Sequence, residues 1–133
     1  MRNKYHNLFK IVVFVYDGGM LSKHLRLTSH DIPLPQIGLR VFHTERLTLA
    51  ISPCYNEKLS KFAVIVSKKG TNAPTRNKMR RRIYEAIGTF RGQITQGYRC
   101  IFSLKKGVSS DISYNVILAD VTILLKQAGL LCL

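Results

Sequence analysis

Hydrophobic positions fall into short blocks along this chain, and their spacing changes from block to block. Residues 47–51 (Leu-Thr-Leu-Ala-Ile) and 62–66 (Phe-Ala-Val-Ile-Val) are aliphatic runs of strand length, separated by a loop that begins at Pro53. They predict an antiparallel pair. Residues 98–104, Tyr-Arg-Cys-Ile-Phe-Ser-Leu, predict another strand. Residues 113–128 predict a helix, with Val116, Leu118, Ile123, Leu124 and Leu125 available for packing. Residues 20–36 offer a cap at Ser29 before Asp31, but Pro33 and Pro35 limit any helix to about a turn. A short helix or irregular segment is expected there.

The most informative block follows the second aliphatic run. Thr71 or Asn72 can cap a helix whose first turn tolerates Pro74. On a helical projection Met79, Ile83, Ala86, Ile87 and Phe90 share about 100° of arc, the face expected to dock on a sheet. Asn77, Arg80, Arg81 and Tyr84 project outward, and Lys78 and Arg82 flank the edge next to Glu85. Arg76 projects close to the buried face but lies in the first turn, where it can reach past the helix end. Like charges three and four residues apart cost a helix a few tenths of a kcal/mol each, so holding Arg80, Arg81 and Arg82 together implies an incoming anion. A guanidinium suits phosphate, because its planar fork donates two hydrogen bonds and can also stack.

Charge sharpens this picture. The chain has 133 residues, 46% of them hydrophobic and 9% aromatic, enough for one domain with a true core and too apolar for a disordered basic tail. Lys and Arg number 21 against 7 Asp and Glu, a net charge of +14. Residues 58–106 hold thirteen cations and one acid, Glu85, and so +12 of that total. A solubilising surface mixes both signs, so an unmixed block reads as a footprint for a polyanion, nucleic acid before acidic lipid. Cys54, Cys100 and Cys132 are too widely spaced for a zinc site and odd in number, which argues for reduced thiols and a cytoplasmic location. The seven acids form no tight motif for hard cations, and His6, His24, His30 and His43 lack partners for general acid–base work. No catalytic residue and no protein-held metal is expected. The apolar run 11–16 has six residues, short for a signal peptide and far short of a membrane span, so no membrane partner is expected.

The order of residues inside the footprint is more specific than its charge. Ser67-Lys68-Lys69, Asn72-Ala73, Arg76-Asn77, Arg80-Arg81 and Glu85-Ala86 together resemble the signature of the bacterial ribonuclease P protein component family. The likeness extends to a Met-Leu-x-Lys-x-x-Arg-Leu opening over residues 20–27, Gly38 before a first strand, Gly97-Tyr98 opening another, and a closing amphipathic helix. Residues 1–19 lie outside it. They are an N-terminal extension or follow a mis-assigned start, with Met20 the true one, and residues 20–133 are the expected ribonuclease P protein domain.

The resemblance implies an α+β fold, a small two-layer α/β sandwich of the ribosomal-protein-S5-domain-2-like type. In it a left-handed βαβ crossover carries the basic helix, against the general right-handed rule. It also implies a subunit that assists a catalytic RNA in removing the 5′ leader of precursor tRNA, with Mg2+ bound through that RNA and no obligate protein partner. By the same resemblance Lys68, Lys69, Arg76, Asn77, Arg80 and Arg81 contact the RNA subunit, with Lys78, Arg82 and Tyr84 beside them, and a cleft between first helix and sheet holds the leader. Two positions depart from the family pattern. Tyr84 stands where a further Arg is usual, and is either a ring that stacks on a base or a half-buried one. Ile32, two prolines and then Phe42 occupy the region where the family places Phe residues facing the cleft, so Phe42 and Ile32 are the leader-cleft candidates. A ribosomal or other structural RNA-binding protein would share the charge but not the ordered motif.

Overall fold

Alternation along one strand sets the orientation of the sheet. In β2 (Leu47–Pro53), Leu47, Leu49 and Ile51 are fully buried on one face, while Thr48 and Ala50 turn to the other. The protein is a computed structural model that describes residues 23–28, 31, 34, 36–54, 58–67, 72–90, 92–105 and 112–131. Within these, β1 (Arg40–His43), β3 (Lys61–Ile65) and β4 (Tyr98–Leu104) join β2 in the order β1-β2-β4-β3. β1 and β4 run antiparallel to β2, and β3 runs parallel to β4. The crossover between those parallel neighbours is α1 (Ala73–Thr89), and α2 (Tyr114–Gln127) follows β4. The extension and the proposed start at Met20 lie outside the described residues.

The antiparallel pairing expected between residues 47–51 and 62–66 does not form. β4 lies between the two strands, taking β2 on one side and β3 on the other. Cys100, Ile101 and Phe102 are buried in succession, so β4 is apolar on both faces and takes a central place, as strands covered on both sides do.

Both helices form where the local signals put them. The Asn72 side chain accepts from the Thr75 N–H at 2.9 Å and caps α1, with Pro74 in the first turn. Ser113 caps α2 by accepting from the Val116 N–H. The helices pack on each other and on the face that carries Leu49, Ile51, Phe62, Val64 and Phe102. Met79, Ile83, Ala86 and Ile87 are buried there as expected, with Phe90 half-buried at the end. In α2 the seam runs through Ile117, Val121, Leu124 and Leu125, at helical spacing. Of the other positions expected to pack, Val116 and Leu118 are half-buried and Ile123 is exposed.

A partial third layer covers the opposite face. After a single 3-10 turn, Lys23–Leu25, the Leu27 N–H donates to the Phe62 carbonyl at 2.6 Å, so this segment runs along the open edge of β3. Leu34, with Leu27 and Leu39, packs on Ala50, Ala63 and Ile101. Asp31 accepts from the Thr28 N–H and hydroxyl, both at 3.0 Å, and pairs with Arg99 at 3.5 Å. Gly38 turns the chain into β1 at φ +75°, and a Cβ there would lie 2.9 Å from the Pro53 ring, so both backbone and space demand glycine.

Candidate nucleic-acid interface

α1 presents its cations by the same periodicity that buries its core face. Asn77, Lys78 and Arg81 are exposed, and Arg76 and Arg80 are half-buried. Arg80 Nη1 donates to Asn77 Oδ1 at 3.0 Å, so one guanidinium is held against the helix by an uncharged partner, its charge not neutralised by that contact. Arg82 behaves differently. At the flank that meets α2, its guanidinium donates to the Ile112 carbonyl, just before the Ser113 cap. A second tie, Thr89 Oγ1 with the Tyr114 hydroxyl at 2.9 Å, closes the same seam. Arg82 therefore braces α1 against the start of α2, at the margin of the basic face.

Tyr84 is not outward. Its ring is 7% exposed and belongs to the main core, because β3 and residues 23–28 cover the flank that the projection left open. Neither face is available for a base to stack on. The Arg26 guanidinium lies 5.9 Å from the ring centroid. Burial pushes the Tyr84 phenol up from its ordinary value, while a hydrogen bond with the Val64 backbone and the charges of Arg26 and Arg80 pull it back in part. Arg26 is a functional candidate that the projection of α1 could not find, since it comes from another segment. The signal available was its place in the Arg-Leu pair at residues 26–27.

Lys68, Lys69 and Ile32 lie outside the described residues. Phe42 is on the wrong face for the cleft between the N-terminal segment and the sheet. It pairs with Leu49 and packs against the core under the helices, with Arg40 over its ring at 5.0 Å. The register puts Val41, Ala50, Ile101 and Ala63 in one row across the opposite face, and His43, Thr48, Ser103 and Ile65 in the next. Leu27, Leu34 and Leu39 cover the small residues of the first row, whereas Val41 and Ile65 remain 47% and 41% exposed. The open strip of sheet is therefore lined by Val41, His43, Thr48, Ser103 and Ile65.

Two of the described acids have structural engagements. Asp120 holds Arg46 at 3.4 Å, and Asp31 is bound by Thr28 and Arg99, with those hydrogen bonds and then the Arg99 charge lowering its pKa. Among the described residues no three His, Cys, Asp or Glu side chains gather as a metal site would require. Cys100 is buried, and burial pushes its thiol up, away from nucleophilic use. Among the described residues no helix is long and apolar enough to cross a membrane.

Known proteins place this arrangement. The ribonuclease P family model matches residues 37–129. The ribonuclease P protein component of Chloroflexus aurantiacus is 32% identical over 92 residues, covering 69% of this chain and 67% of that protein. Its counterpart in Chloroflexus aggregans is 29% identical over the same length. The ribonuclease P protein of Staphylococcus aureus superposes with a TM-score of 0.71 at 19% identity, covering 80% of this chain and 97% of that one. That of Thermotoga maritima gives 0.67 at 21%, covering 77% and 96%. At such identities the structural likeness speaks for the fold, a mixed four-stranded sheet with two helices, and the sequence matches carry the kinship: the chain belongs to the ribonuclease P protein component family, the bacterial-type protein part of a tRNA-processing endoribonuclease.

Proposed function

We propose that this chain binds the catalytic RNA of ribonuclease P through the outward face of α1 and assists removal of the 5′ leader from precursor tRNA. One observation carries the reading: Asn77, Lys78, Arg80 and Arg81 stand along one helix, and Arg80 is steadied by the uncharged Asn77, so the row presents cations suited to a phosphate backbone. Arg76 borders this face, and Lys68 and Lys69 precede it in sequence. The leader lies along the open strip of sheet between Val41 and Ile65, where small and polar side chains leave room for a single strand. Phe42 is no part of that surface.

In this reading the bond is broken by the RNA subunit, with Mg2+ held by RNA. Asp120 is committed to Arg46 and Asp31 to Arg99 and Thr28, and among the described residues no three His, Cys, Asp or Glu side chains gather as a divalent-cation site would require. The protein screens repulsion between two RNAs and orients one against the other. Its location is the cytoplasm, where both would be found.

The test is the salt dependence of RNA binding. Replacing Arg80 and Arg81 together by Ala weakens binding across RNA sequences and lowers the slope of log K against log salt by roughly 0.7 to 0.9 per lost contact. An unchanged slope would show that this face does not touch phosphate.

A further inference from the structure

Arg26 poses a problem that the basic face of α1 does not solve. Its Nε is buried and has no hydrogen-bond partner. Such an orphaned donor is rare in folded proteins and calls for a reason, a missing acceptor being the simplest. Its guanidinium is placed with care all the same, over the Tyr84 ring at 5.9 Å, within cation–π range. The segment that carries it is tied to the edge of β3 at Phe62, by the Leu27 N–H donating to the Phe62 carbonyl and by the Arg26–Phe62 bridge.

A second guanidinium is near. Arg80 and Tyr84 are four residues apart and share one side of α1, and both Arg26 and Arg80 act on the Tyr84 phenol. Arg80 is steadied by Asn77, which is uncharged. Among the described residues the ion pairs are Arg46 with Asp120 and Arg99 with Asp31, so no carboxylate offsets either Arg26 or Arg80. Two guanidinium groups from different segments thus approach the same ring, one laid over its face and the other held by Asn77 a helical turn before it.

We infer that Arg26 and Arg80 form a phosphate-binding site at the seam between residues 23–28 and α1, with Tyr84 as the platform beneath Arg26, taking one backbone phosphate of bound RNA. The inference rests on the RNA-binding reading of α1 and extends the interface to a second chain segment. Tyr84 then serves the RNA indirectly, as a positioning residue. Its aromatic face holds a cation from another segment over α1, and its burial fixes where that cation stands.

The experiment compares log K against log salt for the full chain and its Arg26→Gln variant, binding a bacterial ribonuclease P RNA, with folding confirmed by circular dichroism. Loss of one phosphate contact lowers the slope by roughly 0.7 to 0.9. Tyr84→Phe keeps the ring and is expected to keep the wild-type slope; a fall equal to that of Arg26→Gln would remove the platform role. A folded Arg26→Gln protein with an unchanged slope overturns the site. If Arg81→Ala still lowers the slope in that case, the α1 interface stands without it. Should Arg26→Gln fail to fold, the Arg26 Nε–H resonance of the unaltered chain is followed while inorganic phosphate is added. It is expected to shift, and a stationary signal overturns the proposal.

Discussion

Arg81 and Arg82 are neighbours in sequence with different work. Arg81 is exposed, whereas Arg82 donates to the Ile112 carbonyl and ties α1 to the approach of α2. A charged donor lost from such a bond costs about 1.5 to 3 kcal/mol. Arg82→Ala is therefore expected to lower the urea midpoint with the salt slope of RNA binding held, and Arg81→Ala to do the reverse. Equal effects in both assays would erase the distinction. The projection of α1 could not separate the two, because it knows only the helix. Which flank α2 covers and which flank residues 23–28 cover are tertiary facts, and they decide both Arg82 and Tyr84.

Elements differ in how far local signals determine them. α2 was legible to within a residue at each end, and α1 by its cap and buried face, because Asn72, Ser113, Pro74 and an apolar stripe all act inside one turn or one helix face. Strand β4 was legible as a strand, but its place between β2 and β3 was not, since pairing joins residues far apart in sequence. A buried polar network helps to set that pairing. The Ser60 N–H donates to Gln96 Oε1 at 2.7 Å, its hydroxyl to the Thr95 carbonyl at 2.7 Å, and the Tyr98 N–H to the Ser60 hydroxyl at 3.1 Å. These bonds tie the approach to β3 to the start of β4. Ser60→Ala orphans two backbone groups and is expected to cost about 1 to 3 kcal/mol, read as a lower urea midpoint at constant m. No change would show that the network is dispensable. The N-terminal segment has a pH signature. The Asp31 carboxyl lies below its ordinary value, first through the Thr28 backbone and side-chain hydrogen bonds and then through Arg99. Its contribution is full above the unfolded carboxylate value of about 3.9 and is lost as pH falls through the lowered folded value. Hydrogen exchange of the Leu27 amide should accelerate relative to the core as the pH drops through that window. Constant relative protection would dissociate Asp31 from docking.

For the whole molecule, the +12 carried by residues 58–106 becomes geometry only after folding. The helix layer turns the α1 cations to one side, and the partial third layer leaves a strip of sheet open on the other. Family and motif were legible together, because the Arg-Asn and Arg-Arg spacing follows the turn of α1. The proposed leader surface was not, because a one-residue shift along β1 exchanges the two faces, and Phe42 falls on the covered one. In the proposed function this protein lets a catalytic RNA act on precursor tRNA. That role is tested most directly by adding the purified chain to a bacterial ribonuclease P RNA at low magnesium and following release of the 5′ leader. Stimulation is expected, diminished in the Arg80→Ala, Arg81→Ala double variant; a folded protein that binds the RNA yet leaves the rate unchanged would overturn the proposed function.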